Sequence, residues 1–303
     1  MKKRIISLLS CLSAIYNIAA QTQPANEFGI WLGGGSHSLK YSIEQGGVKS
    51  GFGGGLGLGY SRFFSRYIGV SLGLEADLYG SSLSINNLHT EYQIQTPPGL
   101  SGNFWLYADN QRIEEKQRAV FLQLPVMLQL QAPLGSASFF YIGAGAKVGF
   151  TASKTWSQTI GTLTTTGFSD YTNQTYTNMP NHGFETKNGN QASGSLTLGS
   201  PVMMALEGGF KWIVSDIKLL YTGIYIDYGL TDLYKPESKN LLEYNSSSPA
   251  NYGRNSILQT ALTNSSQGIK TFAIGLKIRL SFGSGTMLEG KKSIPPPLLA
   301  RMY

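Results

Sequence analysis

The sequence reads as all-β, an eight-stranded antiparallel transmembrane β-barrel, and three observations carry that reading. Charged residues make up 14% of the 303 residues, against roughly 25% in ordinary soluble domains. Aromatics reach 12% and glycine supplies 37 residues, about 12% of the chain where ~7% is usual. Long runs alternate apolar residues with small or polar ones, and the connections between runs alternate short with long. A disordered chain is excluded, because 17 Tyr, 14 Phe and 4 Trp demand burial. A helical membrane protein is excluded by a hydrophobic content of only 41%.

Residues 1–20 are set apart first. Lys2, Lys3 and Arg4 form a basic start, Ile5 to Ile18 an apolar middle, and Ala19 and Ala20 a small-residue end, the pattern of a secretory signal peptide. The apolar stretch is shorter than the ~20 residues of a spanning helix. Leu8, Leu9, Ser10 and Cys11 offer a lipobox reading, but the stretch before Cys11 is very short and continues past it. Removing the segment takes three of the 24 basic residues, leaving 21 against 17 acidic ones, a net +4. Nucleic-acid binding loses its support, and with Cys11 gone neither disulfides nor thiolate metal sites are available.

The strands follow in order. EFGIWLGGG, around residue 28, is the first. GFGGGLGLGY sets Phe52, Leu56, Leu58 and Tyr60 opposite glycines, and YIGVSLGLEADLY sets Ile68, Val70, Leu72, Leu74, Ala76 and Leu78 opposite Ser71, Glu75, Asp77 and Tyr79. VFLQLPVMLQL, FFYIGAGAKVGF, PVMMALEGGFKW, IKLLYTGIYIDYGL and KTFAIGLKIRLSF repeat this period of two, the signature of strands with two unlike faces. Short connections at 61–66, 132–138 and 213–216 alternate with long ones at 80–117, 151–200 and 231–268. Outer-membrane barrels have short periplasmic turns and long extracellular loops, with strands of ~9–11 residues. The reading is therefore signal peptide 1–20, outer-membrane barrel 21–282 with both ends periplasmic, and a Pro-containing periplasmic tail 283–303.

The faces assign the side chains. Glu75, Asp77, Glu207 and Asp227, with Lys147, Lys211, Lys277 and Arg279, fall on the inner face. Eight strands leave a lumen just wide enough for side chains, and unpaired charge there costs several kcal/mol. Mutual pairing is expected, four acids with four bases, with Gln123, Gln129 and tyrosines completing the hydrogen bonds. Tyr60, Phe63, Phe64, Trp212 and Phe282 on the turn side, and Phe150 and Tyr228 on the loop side, are expected in interfacial girdles.

LQLPVML followed by FYIGAGAKVGF, then LLYTGIYIDYGL and a closing GLKIRLSF, resembles the barrel domain of Bacteroidetes outer-membrane proteins, including the barrel portion of their OmpA-like proteins. The resemblance covers most of residues 26–282 and implies an anchor, pore or secretion part in a Gram-negative outer membrane. It departs in two places. Gln123 and Leu124 precede Pro125 where family members often carry an acidic residue, and only 283–303 stands where OmpA-like proteins continue into a peptidoglycan-binding domain. Pro125 cannot donate to a ladder, so a bulge is expected there.

No catalytic pattern emerges. The glycines at 51–59 have period two rather than dinucleotide spacing, and no phosphate loop is present. His89 and His182 lie in the long connections without a paired carboxylate motif. Ser36, His37 and Ser38 bear comparison with eight-stranded lipid-acting barrel enzymes, but His37 shares parity with inward Trp31. The sequons at Asn173, Asn245 and Asn264 carry no meaning in bacterial export. The expectation is a non-enzymatic barrel with a structural or surface-interaction role and a lumen plugged by paired charges. Alternatives are a narrow passive pore for small solutes or a barrel component of a secretion or assembly machine. No cofactor and no metal are expected. Expected partners are outer-membrane lipid and lipopolysaccharide and an extracellular ligand of the long loops; no partner is assigned to the tail.

Overall fold

The computed structural model describes residues 26–134, 137–215, 217–235, 239–263 and 268–284. The signal segment with Cys11 and nearly all of the expected tail lie outside the described residues. The elements are β1 (Asn26–Lys40), β2 (Gly47–Ser50), β3 (Phe52–Phe63), β4 (Ile68–Ile94), β5 (Phe104–Pro133), β6 (Ser138–Ser169), β7 (Gln174–Tyr176), β8 (Thr186–Ser195), β9 (Val202–Ile213), β10 (Lys218–Gly229), β11 (Leu242–Glu243), β12 (Gly253–Arg254) and β13 (Lys270–Ser284), with 3-10 turns at Pro180–His182 and Ile257–Gln259. No helix among the described residues is long and apolar enough to cross a membrane, which says nothing about strands.

Eight strands close a ring. β1 pairs with β3, β3 with β4, β4 with β5, β5 with β6, β6 with β9, β9 with β10, β10 with β13, and β13 returns to β1, every pair antiparallel. Closure removes the open edge that would otherwise invite aggregation. The short turns fall at 64–67, 134–137 and 214–217, on the side where β1 begins and β13 ends. The other side carries the connections 41–51, 95–103, 170–201 and 230–269.

Period-two alternation becomes two opposite faces. Along β5, Leu122, Leu124, Val126, Leu128 and Leu130 are exposed, while Gln123, Pro125, Met127, Gln129 and Gln131 are buried. The same holds for Leu72 and Leu74 against Gly73 and Glu75 in β4, and for Ile274, Leu276 and Ile278 against Arg279 and Ser281 in β13. From Val120 to Leu130 the rise is about 34 Å along the strand, or roughly 26 Å across the sheet at a ~40° tilt. That matches the ~25 Å apolar band of membrane barrels. Glycines serve the inner face where large rings need room: a Cβ at Gly57 would stand 2.3 Å from the Trp31 indole.

Two expectations are corrected here. The long connections 80–117 and 151–200 are largely strand: β4 runs on to Ile94, β5 starts at Phe104 and β6 continues to Ser169, with β7 and β8 pairing onto β6. Inward Leu83, Ile85, Leu88, Ile113, Ile160 and Leu163 are buried against Leu241, Leu242 and Ile257 from the last long connection. The second correction concerns Pro125. The β4–β5 ladder skips Gly73 and Leu74 opposite Leu124 and Pro125 without changing register, and the β-bulge of β5 against β6 lies between Val120 and Phe121. A missing N–H drops a bond on one side only, so the chain need not insert a residue.

Candidate functional site

The lumen is built in layers of side chains projected inward by the ring. Nearest the turns, Lys211 donates to Glu27 at 2.6 Å, and the Tyr221 hydroxyl donates to the other Glu27 oxygen at 2.6 Å. The Lys211 ammonium also lies 4.6 Å from the Phe63 ring centre and 5.3 Å from that of Tyr221, within cation–π range. In the middle layer Lys277 donates to Glu207 at 2.9 Å, Arg279 stands 3.8 Å from the same carboxylate, and Arg279 donates to Gln129 at 2.9 Å. The Arg279 guanidinium lies 3.8 Å over Tyr221, and Lys277 lies 4.8 Å over Trp31.

Toward the loops, Lys147 bridges Asp227 at 2.7 Å and Glu75 at 3.2 Å, all three buried. Asp77 has no basic group within ion-pair distance among the described residues, and its Oδ2 lacks a hydrogen-bond partner. Above this layer His37 and the Tyr225 hydroxyl meet at 2.5 Å, and Tyr79 packs 4.9 Å from the His37 ring and 5.4 Å from Phe121. His37 is fully buried, so it does not face lipid as a lipid-acting base would.

All eight expected charges thus point into the lumen, and seven of them stand in ion pairs. The balance differs from the expectation, because Glu27 is a fifth acid. It is the second described residue of β1 and shares the parity of Trp31, which was the available signal. Gln123 also departs: both of its amide atoms lack partners among the described residues, whereas Gln129 bonds Arg279. Of the aromatics, Tyr60, Phe64, Phe150, Trp212, Tyr228 and Phe282 are exposed on the outer surface. Phe63 is the correction: it has inward parity, is 1% exposed and lies under Lys211.

The lumen is closed on the loop side by an apolar cap. Leu39, Phe121, Trp156, Leu196, Leu198, Leu233, Leu258 and Ile269 form one buried cluster with Tyr79, Met203 and Tyr225. Leu258 comes from the Ile257–Gln259 turn, and Glu115 anchors that turn. Glu115 is fully buried and accepts from Gln117 Nε2 at 2.8 Å, Gln158 Nε2 at 2.9 Å, the Ile257 amide at 2.9 Å and the Ser256 hydroxyl. Burial nevertheless pushes its carboxyl above the usual range. A cavity between Trp31, Pro125, Met127 and Arg279 measures about 20 Å³, about the space of one water.

The chain is similar to small outer-membrane barrels of known structure, at low TM-scores. It shares 12% identity with the N-terminal β-barrel domain of Pseudomonas aeruginosa OprF, covering 87% of this chain and 100% of that one at a TM-score of 0.28. Neisserial surface protein A gives 9%, 86%, 98% and 0.31, and Ail, the attachment invasion locus protein of Yersinia pestis, gives 9%, 86%, 99% and 0.27. The ring closure stands on its own strand pairings and borrows nothing from likeness at this level. No family model matches the chain, and no curated protein matches it.

On the outer face of the loop-side sheet the structure also brings together what the linear order hid. His89 meets Asp109 at 2.6 Å and Glu91 at 3.2 Å. The hydrogen bond to Asp109 raises the His89 pKa above its ordinary value. Asp109 sits 20 residues away and arrives by strand pairing. No group of His, Cys, Asp and Glu among the described residues is arranged to hold a metal ion.

Proposed function

We propose that the chain is an integral outer-membrane β-barrel whose lumen is plugged by paired charges and whose role is structural or surface-interactive, carried by the sheet that β4, β5 and β6 raise beyond the membrane. The observation that carries this is the combination of a girdling exposed apolar band with a lumen in which charged, aromatic and amide side chains touch across the ring. An apolar band of this extent finds its solvent in lipid. The turns are assigned to the periplasm and the long connections to the exterior, and kinship with Bacteroidetes barrels rests on the strand motifs. A plug of ion pairs and an apolar cap favours an anchor or adhesive platform over the narrow passive pore. Single-channel recording in planar bilayers tests it. Small or infrequent currents are expected, and a steady conductance of general-porin size would refute the plugged reading.

A further inference from the structure

We propose that the loop-side rim carries a site for a phosphorylated lipid of the outer leaflet, with its phosphate on Lys49, Lys116 and Arg118 and an acyl chain in the groove over Gly34 and Gly54. This rests on the membrane reading above and adds to it a specific ligand.

Strand register builds the headgroup half. Ser82 of β4 pairs with Lys49 of β2 on one side and with Lys116 of β5 on the other, so the two lysines share a row. Two strand spacings put their Cα atoms roughly 10 Å apart, and Arg118 lies roughly 7 Å further down β5 on the same face. All three are exposed, and none makes an ion pair among the described residues. Glu114, the carboxylate next along that face, is already engaged by Arg112. Three unneutralised cations on long stems can converge on one phosphate.

The apolar half lies directly beneath. Arg118 is followed on the outer face of β5 by Val120, Ser82 and Gly80 lead down β4 to Leu78, and β2 runs on to Phe52 at the head of β3. Val120, Leu78 and Phe52 line the loop-side part of a groove of about 950 Å³, with Leu32, Leu56 and Leu276 along it. The groove exists because Gly34 and Gly54 put no side chain on the outer face where the flanking strands put Leu276 and Leu78. A cationic cluster sits where leaflet headgroups lie, and a trough descends from it into the apolar band. That combination fits an anionic lipid; a free anion would have no use for the trough, and a protein partner none for its depth in the band.

The test uses the folded barrel in detergent, with native mass spectrometry reading retained lipid. Probes are bisphosphorylated lipid A, the same lipid A after phosphatase treatment, and inorganic phosphate. Wild-type protein should retain lipid A, with at least tenfold weaker binding of the dephosphorylated lipid and of inorganic phosphate. The triple variant Lys49→Glu, Lys116→Glu, Arg118→Glu should lose at least tenfold. Gly34→Leu should lose severalfold without unfolding, since a Cβ there meets nothing nearer than 3.8 Å. Arg62→Glu with Lys218→Glu on the turn side should change nothing. Equal retention by wild type and triple variant, or equal binding of phosphorylated and dephosphorylated lipid, would overturn the site. So would inorganic phosphate binding as tightly as lipid A. Membrane fractionation of the same variants separates this from failure of the barrel reading: outer-membrane recovery with no lipid selectivity sinks the site alone.

Discussion

Removing Lys211 isolates Glu27, and the cost of that can be worked from the contacts. Glu27 is 3% exposed and holds two donors, Lys211 and Tyr221, each at 2.6 Å. Lys211→Met leaves the carboxylate with Tyr221 alone, in a layer closed by Phe63 and Tyr221. Breaking a buried pair by removing one partner costs about 3–5 kcal/mol, because the remaining charge is left uncompensated. Replacing both partners with neutral groups of similar size is often close to neutral. Lys211→Met is therefore expected to lose about 3–5 kcal/mol, and the double variant Glu27→Gln, Lys211→Met to regain most of it. Equilibrium urea unfolding from lipid vesicles, followed by tryptophan fluorescence, measures both. A single-variant loss below about 1 kcal/mol, or a double variant equal to the sum of the singles, would refute the claim that this pair is a coupled buried plug.

The middle layer bears on conductance: Glu207→Gln, which removes the carboxylate that pairs Lys277 and Arg279, should raise single-channel current and lower thermal stability together, and an unchanged trace would count against the plug. On the lipid face Leu72→Arg should cost roughly 2–4 kcal/mol while Ser71→Thr stays mild in the same unfolding assay; equal effects would void the face assignment. For topology, Ser101→Cys should react with an impermeant maleimide on intact cells and Ala137→Cys should not; the reverse pattern would invert the barrel. Glu115 gives a pH prediction. Its folded-state pKa lies above the ordinary 4.5, so the folded cap holds the proton more tightly than the unfolded chain and is most stable below that value. That stability is lost as pH rises through the folded pKa. Hydrogen exchange of Ile257 to Gln259, corrected for intrinsic rate, should show opening growing easier as pH rises from about 4.5, with the dependence flattened in Glu115→Gln; protection that increases with pH would contradict the sign.

Alternation is a local property, so it can be read from the chain alone. Ile68 to Tyr79 already separates its faces, because a strand turns successive side chains to opposite sides whatever it pairs with. The strand faces and the inward charges follow from that parity, and the turn and loop sides follow from the alternation of short with long connections. What parity cannot supply is register, since a residue's neighbour across the lumen depends on closure of the whole ring. That is why Lys147 can be placed inside from its position in the strand, but its bridge to Glu75 and Asp227 cannot. Phe63 keeps the inward parity of Ser61 in β3, but an aromatic beside a turn also suits an interfacial girdle, so residue type pointed the other way. Glu27 keeps the parity of Trp31 but stands at the start of β1, where nothing before it extends the alternation.

The loop-side sheet is hidden for a related reason. Leu83, Ile85 and Leu88 are too sparse among Ser and Asn to mark a strand by themselves. They are strand residues because Leu241, Leu242 and Ile257, more than 150 positions later, arrive to cover them. Burial there is a product of distant segments meeting, and the same meeting gives Glu115 two of its four donors, Ser256 and the Ile257 amide. The sequence carries the faces of each strand; which residues meet across the lumen and above it is settled only when the ring closes and the last long connection folds over its mouth.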